Sequence, residues 1–294
     1  VDILDHPRKE KNLASLKFKT FMDRDDFPDR IRSGSLGEVS ALFHMGACSS
    51  TTETDIEFLT RNNLQYSQHL ARYCLERNIR MIYASSAATY GDGRRGYSDD
   101  ESQLEILQPL NPYGQSKQDF DLWAKREGVL DRLVGLKYFN VYGPNEYHKE
   151  DMRSMVLKGY EQIRDTGTIR LFKSYHPDYE DGGQVRDFIY VQDAVAMTMF
   201  FYDRPKTAGL FNVGTGRVRS WNDLARAIFE AMGRTPAIEY IEMPDNIRDQ
   251  YQYHTCAEMD KIRRAGYDLP HTPLEEAVRD YVTQYLIPGR HLQS

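Results

Sequence analysis

Tyr113 and Lys117 stand four residues apart in the stretch YGQSK. If a helix begins here, both side chains project from one face, because residues four apart on a helix are neighbours. A tyrosine has an ordinary pKa of about 10, and a nearby ammonium group favours its phenolate. The pair is therefore suited to act as a general base near neutral pH, although many helices carry the same two residues as a solvated surface pair.

Consecutive hydroxyl-bearing residues end an apolar run upstream of this pair. The run at 80–85 is predicted to be a strand, and Ser85 and Ser86 stand at its end. Open α/β sheets bind ligands at the carboxyl ends of their strands, so we expect Ser86 to hydrogen-bond the substrate hydroxyl that Tyr113 deprotonates. Serine pairs also occur in simple turns and helix caps. The order of strand, serine and then YxxxK makes the pattern more specific.

Strand and helix patterns alternate along the first half of the chain, which is typical of βαβ units in a parallel sheet. Strands are predicted at 41–46, 80–85 and 132–139, and helices from 53 to 77 and from about 113. The looser second half predicts strands at 188–191 and 210–213, helices at 151–166, 221–232 and 273–286, and a polar loop at 175–184. The fold class is therefore α/β, with a doubly wound parallel sheet and a smaller α/β domain.

Composition is that of an ordinary globular protein. The 294 residues are 40% hydrophobic and 28% charged, and the formal net charge of -6 argues against a general affinity for nucleic acid or an anionic membrane. No apolar run approaches the ~18 to 20 residues that span a bilayer. The scattered residues Cys48, Cys74 and Cys256 indicate neither a disulfide framework nor a metal site. We expect a cytoplasmic protein with a small-molecule ligand and no metal.

Several separated stretches carry a resemblance to a known family. Ser86, Tyr113 and Lys117, with YFNVYGP at 138–144, resemble the extended short-chain dehydrogenase/reductase family of sugar-nucleotide epimerases and dehydratases. The chain is most similar to the branch that acts on an ADP-activated heptose, through GACSSTTE at 46–53, NEYHK at 145–149, VRDFIYV at 185–191 and NVGTGR at 212–217. The resemblance implies inversion at C6 of ADP-D-glycero-D-manno-heptose through a transient 6-keto sugar, in an enzyme that forms a homo-oligomer.

The resemblance also implies a role for each matching position. Tyr113 would be one catalytic base, Lys117 would hold the nicotinamide ribose and lower the pKa of Tyr113, and Lys149 would serve the opposite face of the ketone. The other cofactor-binding positions would be Asp2, Ile3, Lys9, Arg24, Met45, Gly46, Ala47, Cys48, Ser49, Asn62 and Val141. The substrate-binding positions would be Ser86, Asn140, Asp151, Lys158, Phe172, Ser174, Arg186 and Tyr251.

Charged residues near the start of the chain bear on the choice of cofactor. Asp2 matches the acidic residue that binds the adenosine ribose. Lys9 and Arg24 would then neutralise a 2′-phosphate, so NADP is the expected cofactor and NAD the alternative. Arg186 would hold the nucleotide diphosphate of the substrate, because a planar guanidinium matches paired phosphate oxygens.

The resemblance also implies domain boundaries. Residues 1–143 and 184–214 would form a Rossmann-like dinucleotide-binding domain, and residues 144–183 and 215–294 a substrate-binding domain. The stretch at 1–5 looks like the tail of a strand, so we expect the first βα unit, with its GxxGxxG turn, to be missing. The glycines at 34 and 37 are no substitute, because they precede a strand and open no helix.

Departures from the family pattern leave the substrate open. Lys158 stands where a histidine is expected, Asp151 replaces a small hydroxyl residue, and the loop at 175–184 is longer than usual. Ala87 and Ala88 occupy the place of the acidic pair of a 4,6-dehydratase, which disfavours elimination. A UDP-hexose 4-epimerase remains an alternative, from which Lys149 would distinguish this chain, and so does a non-catalytic dinucleotide-binding protein.

Overall fold

A computed structural model describes residues 1–248 and 251–292 of the chain. The strands in these ranges are β1 Ala41–His44, β2 Arg80–Ser86, β3 Leu133–Tyr138, β4 Asn140–Tyr142, β5 Ile169–Phe172, β6 Val185–Arg186, β7 Phe188–Tyr190, β8 Gly209–Val213, β9 Arg219–Ser220 and β10 Ile238–Ile241. The helices are α1 Pro7–Lys11, α2 Phe27–Arg32, α3 Ile56–Leu59, α4 Tyr66–Glu76, α5 Pro112–Arg126, α6 Met155–Thr166, α7 Val191–Tyr202, α8 Trp221–Ala231, α9 Asp245–Arg248, α10 Asp260–Arg264 and α11 Leu274–Asp280.

Short helical turns of other kinds connect these elements. Two π-helical segments, Thr60–Gln65 and Tyr281–Leu286, continue α3 into α4 and extend α11. The 3₁₀ turns are Ala87–Tyr90, Glu101–Ile106, Leu130–Arg132 and Glu150–Met152.

The central sheet is parallel, with the strand order β1-β2-β3-β8. Helical segments connect successive strands, as parallel pairing requires. Lys137 of β3 hydrogen-bonds Asp121 of α5, whereas the next residue, Tyr138, bonds Thr198 of α7. Successive side chains of a strand point to opposite faces, so α5 and α7 cover opposite faces of the sheet. The prediction of a doubly wound parallel α/β sheet is therefore confirmed.

Two apolar clusters lie behind these elements. The first surrounds the central sheet and includes Ile82, Val134, Phe201 and Phe211. The second lies between α6, α8 and α11 and the parallel pair of β5 and β10, and it includes Ile163, Ile228 and Tyr281. The predicted domain boundaries stay a prediction; residues 257–267 pack with the first cluster through Ala257, Met259, Ile262 and Tyr267.

Several elements differ from the sequence-based expectation. The stretch at 1–5 is not a strand along its length: Asp2 forms only an isolated bridge with Asp23. The predicted strand at 188–191 ends at Tyr190, because Val191 begins α7. The predicted helix at 151–166 begins at Met155, where the Ser154 side chain accepts a hydrogen bond from the Leu157 backbone N–H. Within the described ranges, no helix is both long enough and apolar enough to cross a membrane.

Candidate active site

The carboxyl end of β2 places Ser86 at the edge of the sheet. Its backbone is extended, and its Oγ accepts a hydrogen bond of 3.1 Å from the Ala88 backbone N–H. The side chain therefore caps the 3₁₀ turn that follows the strand. The same side chain lies close enough to the Tyr113 phenol to act on its pKa, so Ser86 both caps the turn and neighbours Tyr113.

Helix α5 brings Tyr113 next to this strand end. The helix begins after Asn111, whose Oδ1 accepts a 2.8 Å hydrogen bond from the Gly114 backbone N–H, and Pro112 stands in its first turn. A Cβ at Gly114 would lie 2.9 Å from the Ala88 carbonyl oxygen. Glycine is therefore required where the helix approaches the turn after Ser86, and this approach brings Tyr113 within reach of Ser86.

Burial sets the protonation of the two groups on α5. Burial raises the pKa of Tyr113, and the hydrogen bond with Ser86 opposes the rise. In the chain by itself, desolvation of the phenolate outweighs the stabilising contacts. The expectation that Lys117 lowers the pKa of Tyr113 stays a prediction. The Lys117 ammonium is buried and donates to the Ala84 carbonyl oxygen at 2.7 Å. Burial lowers its pKa to about 8, while the nearby Asp121 carboxylate opposes this shift.

A buried ion pair lies beneath these groups, and sequence reasoning missed it. The Lys137 ammonium is 2.9 Å from Asp121 Oδ2 and donates to Thr89 Oγ1 at 2.7 Å. Tyr83 and Ser85 donate to the same carboxylate at 2.9 Å and 2.7 Å. Both charged side chains are fully buried. The arrangement fixes α5 against the ends of β2 and β3.

The loop after β1 contains the predicted cofactor-lining residues Met45, Gly46, Ala47, Cys48 and Ser49. Asn63, from the π-helical segment, holds this loop: its Oδ1 accepts from the Cys48 backbone N–H at 2.9 Å. Its Nδ2 is 3.0 Å from the Cys48 carbonyl oxygen and 3.0 Å from Ser116 Oγ.

Met45 Sδ lies 3.5 Å from the Tyr138 hydroxyl. Sequence analysis did not identify Asn63 as a residue that holds this loop, because a helix pattern does not show that a π-helical turn aims an asparagine at it.

Five of the predicted cofactor-binding residues come together around the start of the chain. Lys9 Nζ is 2.8 Å from Asp2 Oδ1, and the Ile3 backbone N–H donates to the same oxygen. The Arg24 backbone N–H donates to the Asp2 carbonyl oxygen, and its guanidinium is 2.6 Å from Asn62 Oδ1. Asp2, Ile3, Lys9, Arg24 and Asn62 therefore form one polar cluster.

Lys149 lies on an exposed loop between β4 and α6. Its backbone N–H donates to the Glu146 carbonyl oxygen at 3.0 Å. The Lys158 ammonium donates to the Asp151 carbonyl oxygen at 2.5 Å, so these two predicted substrate residues are neighbours. The electrostatic interactions of His148 with Lys149, Lys9 and Asp2 place this loop beside the cluster at the start of the chain.

Aromatic rings enclose the predicted diphosphate residue. Arg186 is 6% exposed, and its guanidinium carbon lies 5.2 Å from the Tyr251 ring centroid and 5.5 Å from that of Trp221. Trp221 Nε1 donates to the Tyr251 hydroxyl at 2.9 Å, and Phe172 meets the Tyr251 ring edge to face. Burial lowers the pKa of the Arg186 guanidinium. Arg186, Phe172 and Tyr251 are thus brought together, with Trp221 as a member that sequence reasoning missed.

The remaining predicted residues lie near these clusters. Asn140 is exposed at the start of β4, and its backbone N–H donates to the Asp187 carbonyl oxygen at 3.1 Å. Val141 packs against the first apolar cluster. The Ser174 backbone N–H donates to Asp181 Oδ1 at 2.7 Å, and its hydroxyl bonds the His176 carbonyl oxygen. The Ser174 hydroxyl is therefore engaged within its own loop.

The chain belongs to the NAD dependent epimerase/dehydratase family, whose model matches residues 2–214. A nicotinamide dinucleotide is accordingly its class of cofactor. A curated relative from Nitratidesulfovibrio vulgaris (strain DP4), named ADP-L-glycero-D-manno-heptose-6-epimerase, is 55% identical over 287 residues, covering 97% of this chain and 89% of the relative. A relative of the same name from Fusobacterium nucleatum is 43% identical and covers 97% of this chain and 90% of its own length.

Solved structures agree on the fold. The ADP-L-glycero-D-manno-heptose-6-epimerase of Helicobacter pylori superimposes with a TM-score of 0.73 at 29% identity, covering 87% of this chain and 76% of that one. The UDP-N-acetylglucosamine 4-epimerase of Methanobrevibacter ruminantium M1 gives a TM-score of 0.78 at 22% identity, covering 95% of this chain and 89% of that one. The second likeness shows the fold alone, since 4- and 6-epimerases share it.

Proposed function

We propose that this protein inverts C6 of ADP-D-glycero-D-manno-heptose, through a transient 6-keto sugar, to give the L-glycero form. The observation that carries the proposal is the meeting of Ser86, Tyr113 and Lys117 at the carboxyl end of β2. Relatives named for this reaction match 97% of the chain. An assembled catalytic set also disfavours a non-catalytic dinucleotide-binding protein.

Ser86 and Tyr113 act on one face of the sugar, where they remove the proton of the C6 hydroxyl. Ser86 orients the C6 hydroxyl and Tyr113 accepts its proton. When bound, the nicotinamide supplies hydride acceptance and return, so oxidation to the ketone and reduction back leave no net redox change. Lys117 lies one helical turn from Tyr113, where its ammonium suits the nicotinamide ribose and favours the phenolate.

Lys149 would serve the opposite face of the ketone. Inversion requires the hydride to return to the face opposite the one it left, with a proton delivered to the carbonyl oxygen from that side. An exposed ammonium on the loop after β4 can supply this proton. Arg186 would hold the diphosphate of the sugar nucleotide between the rings of Trp221 and Tyr251, because a guanidinium in a water-poor site binds phosphate oxygens strongly.

The cluster at the start of the chain fits the adenosine end of a dinucleotide. Asp2 offers a carboxylate to ribose hydroxyls, and Lys9 and Arg24 offer cations to a 2′-phosphate. We therefore propose NADP as the cofactor, with NAD as the alternative. Calorimetric titration of the protein with each dinucleotide tests this choice. Tighter binding of NADP, with a difference that shrinks as salt is raised, is expected from a charge-based preference; equal affinities would contradict it.

Product stereochemistry tests the reaction itself. The purified protein with the dinucleotide is incubated with ADP-D-glycero-D-manno-heptose, and C6 is followed by NMR beside a parallel incubation with UDP-glucose. Inversion at C6 of the heptose alone supports the proposal. Inversion at C4 of UDP-glucose without turnover of the heptose would move the assignment to a UDP-hexose 4-epimerase, whose fold this chain shares.

A further inference from the structure

Glu146 belongs to the NEYHK stretch, and the proposed reaction does not use it. Its side chain is 6% exposed. Its carboxylate accepts three hydrogen bonds: from the Ser154 backbone N–H at 2.6 Å, from Ser154 Oγ at 2.6 Å and from the Tyr281 hydroxyl at 2.9 Å. These donors come from two distant parts of the chain. A buried carboxylate with three donors is held in one orientation.

Lys149 lies in the loop between Glu146 and Ser154, which the Glu146 carboxylate closes by accepting hydrogen bonds from Ser154. Along the chain, Glu146 and Ser154 bound the loop, and their direct contact closes it. Inside the loop, the Lys149 backbone N–H donates to the Glu146 carbonyl oxygen, and the Lys149 carbonyl oxygen accepts from the Met152 backbone N–H at 2.8 Å. The backbone of Lys149 is therefore fixed by hydrogen bonds inside a loop whose two ends the Glu146 carboxylate joins.

The backbone conformation of the loop needs such support. Asn145 has a φ of 74° and Glu150 a φ of 47°. Both values lie in the left-handed region, which residues other than glycine rarely adopt. Backbones of this kind persist only where the surrounding contacts determine them. The two residues lie on either side of Lys149. The loop would relax to a more favourable backbone if its attachments were removed.

Tyr281 connects this loop to the second apolar cluster. The ring is fully buried among the residues of that cluster, at the start of the π-helical segment that follows α11. Burial and the neighbouring Glu146 carboxylate raise the pKa of its phenol, which keeps the hydroxyl a donor. The attachment point is therefore rigid, because it is part of a packed core.

We propose that Glu146 is a positioning residue: its buried carboxylate joins Ser154 to Tyr281 and thereby holds the loop that presents Lys149 to the substrate. The inference rests on the proposed role of Lys149. Glu146 itself is too deeply buried to meet the sugar, so its effect passes through the loop. The prediction is a loss of inversion with little loss of substrate binding, since Arg186 and Tyr251 lie on other elements.

A double-mutant cycle tests whether Glu146 acts through Lys149. Glu146→Gln is expected to lower kcat for inversion at C6 by on the order of 100-fold, as a small misplacement of a reacting group does, with KM changed less than threefold. In the background of Lys149→Met, the same substitution should cause no further loss. Additive losses would overturn the proposal, because they would mean that Glu146 affects activity independently of Lys149.

Hydrogen exchange gives a readout that does not depend on turnover. Glu146→Gln and the milder Tyr281→Phe, which removes one donor only, should raise backbone exchange at 145–154 and leave exchange in β2 and α5 unchanged. Asp99→Asn is the matched control: Asp99 is a carboxylate of 5% exposure that accepts from the Asn212 backbone N–H in the central sheet. That variant should leave exchange at 145–154 at the wild-type level.

The outcomes separate this inference from the proposed function. If the wild-type protein does not invert C6, the proposed function fails, while the exchange data still decide whether Glu146 holds the loop. If the wild-type protein inverts C6 and Glu146→Gln retains both wild-type kcat and wild-type exchange at 145–154, the positioning role is overturned. Loss of exchange protection across the whole chain would also overturn it, because that result means a general structural role.

Discussion

The two groups proposed to handle protons lie in contrasting surroundings. Tyr113 is on a long helix whose first turn packs against the end of a strand, and an ion pair of two fully buried side chains lies beneath it. Lys149 is exposed on a loop with left-handed residues on both sides. Secondary structure therefore fixes the first group, whereas side-chain contacts fix the second. A site of this kind combines one face that secondary structure positions with a second face that the side-chain contacts of a loop position.

The contrast also concerns charge. On the buried side, desolvation raises the pKa of Tyr113 and lowers that of Lys117. Both shifts disfavour the charged forms that the chemistry requires. In the chain by itself, burial therefore opposes formation of the Tyr113 phenolate. Lys149, in contrast, is exposed to solvent.

The largest effect is expected from Tyr113→Phe. Removal of the phenol hydroxyl should lower kcat for inversion at C6 by roughly 10⁴-fold, at the upper end for general acid–base catalysis, with the fold unchanged. NMR of the product over a long incubation measures this loss. Tyr240→Phe is the control, since it removes a hydroxyl that bonds Asn222 in the second cluster. An activity of Tyr113→Phe within tenfold of wild type would contradict the assignment.

Lys137→Met should lower stability strongly. It leaves the fully buried Asp121 carboxylate without its ammonium partner, which costs about 3–5 kcal/mol of unfolding free energy. Urea unfolding followed by circular dichroism measures the change. Lys125→Met is the control, because its partner Glu105 is largely exposed and such pairs contribute little. Equal losses of unfolding free energy in the two variants would show that the buried pair stabilises the fold no more than the exposed pair does.

The buried ammonium of Lys117 makes stability depend on pH. Its pKa is about 8 in the folded chain and about 10.4 in an unfolded chain, so the unfolded state binds more protons between these values. Stability then rises with pH across this window, by about 3 kcal/mol in total. The difference in unfolding free energy between wild type and Lys117→Met, measured from pH 7 to 10.5, should shift in favour of wild type. A flat difference would contradict the prediction, because it would mean that the pKa of Lys117 is the same in the folded and the unfolded chain.

Lys149→Met should lower kcat by roughly 100-fold, less than Tyr113→Phe, because water can replace an exposed proton donor in part. The substitution should leave stability unchanged, in contrast to Lys137→Met on the buried side. Unfolding and kinetic measurements on one preparation check both statements. Lys206→Met, at another exposed lysine, is the control. A stability loss as large as that of Lys137→Met would contradict the contrast between the buried surroundings of Tyr113 and the exposed position of Lys149.

Local patterns predicted the strand and the helix that carry Ser86 and Tyr113. The strand before Ser86 and the helix that starts at Tyr113 each follow from a continuous stretch of sequence, and the confirmed parallel fold makes their ends meet. Local patterns also located β8 and α8. Spacing shows that a cation is near Tyr113, but it does not show the burial that raises the pKa of the phenol.

Contacts between distant residues were not predicted. Asp121 and Lys137 each look like ordinary residues of an amphipathic helix and a strand, and only the packing of α5 against the sheet brings them together. The strands β5 and β10 were missed because each is short and pairs with a partner far along the chain. The helix α7 was missed because its mostly apolar run lacks a clear polar face.

The π-helical segment Thr60–Gln65 limits how the length of the chain can vary during evolution. A π turn arises from one extra residue in an α-helix, and each residue of an α-helix turns the following side chain by about 100°. Here the segment aims Asn62 at Arg24 and Asn63 at Cys48. Deletion of one residue would restore a regular helix but would rotate these two amides away from their partners. Insertions and deletions should therefore be tolerated in the loop at 175–184 far better than in this helix.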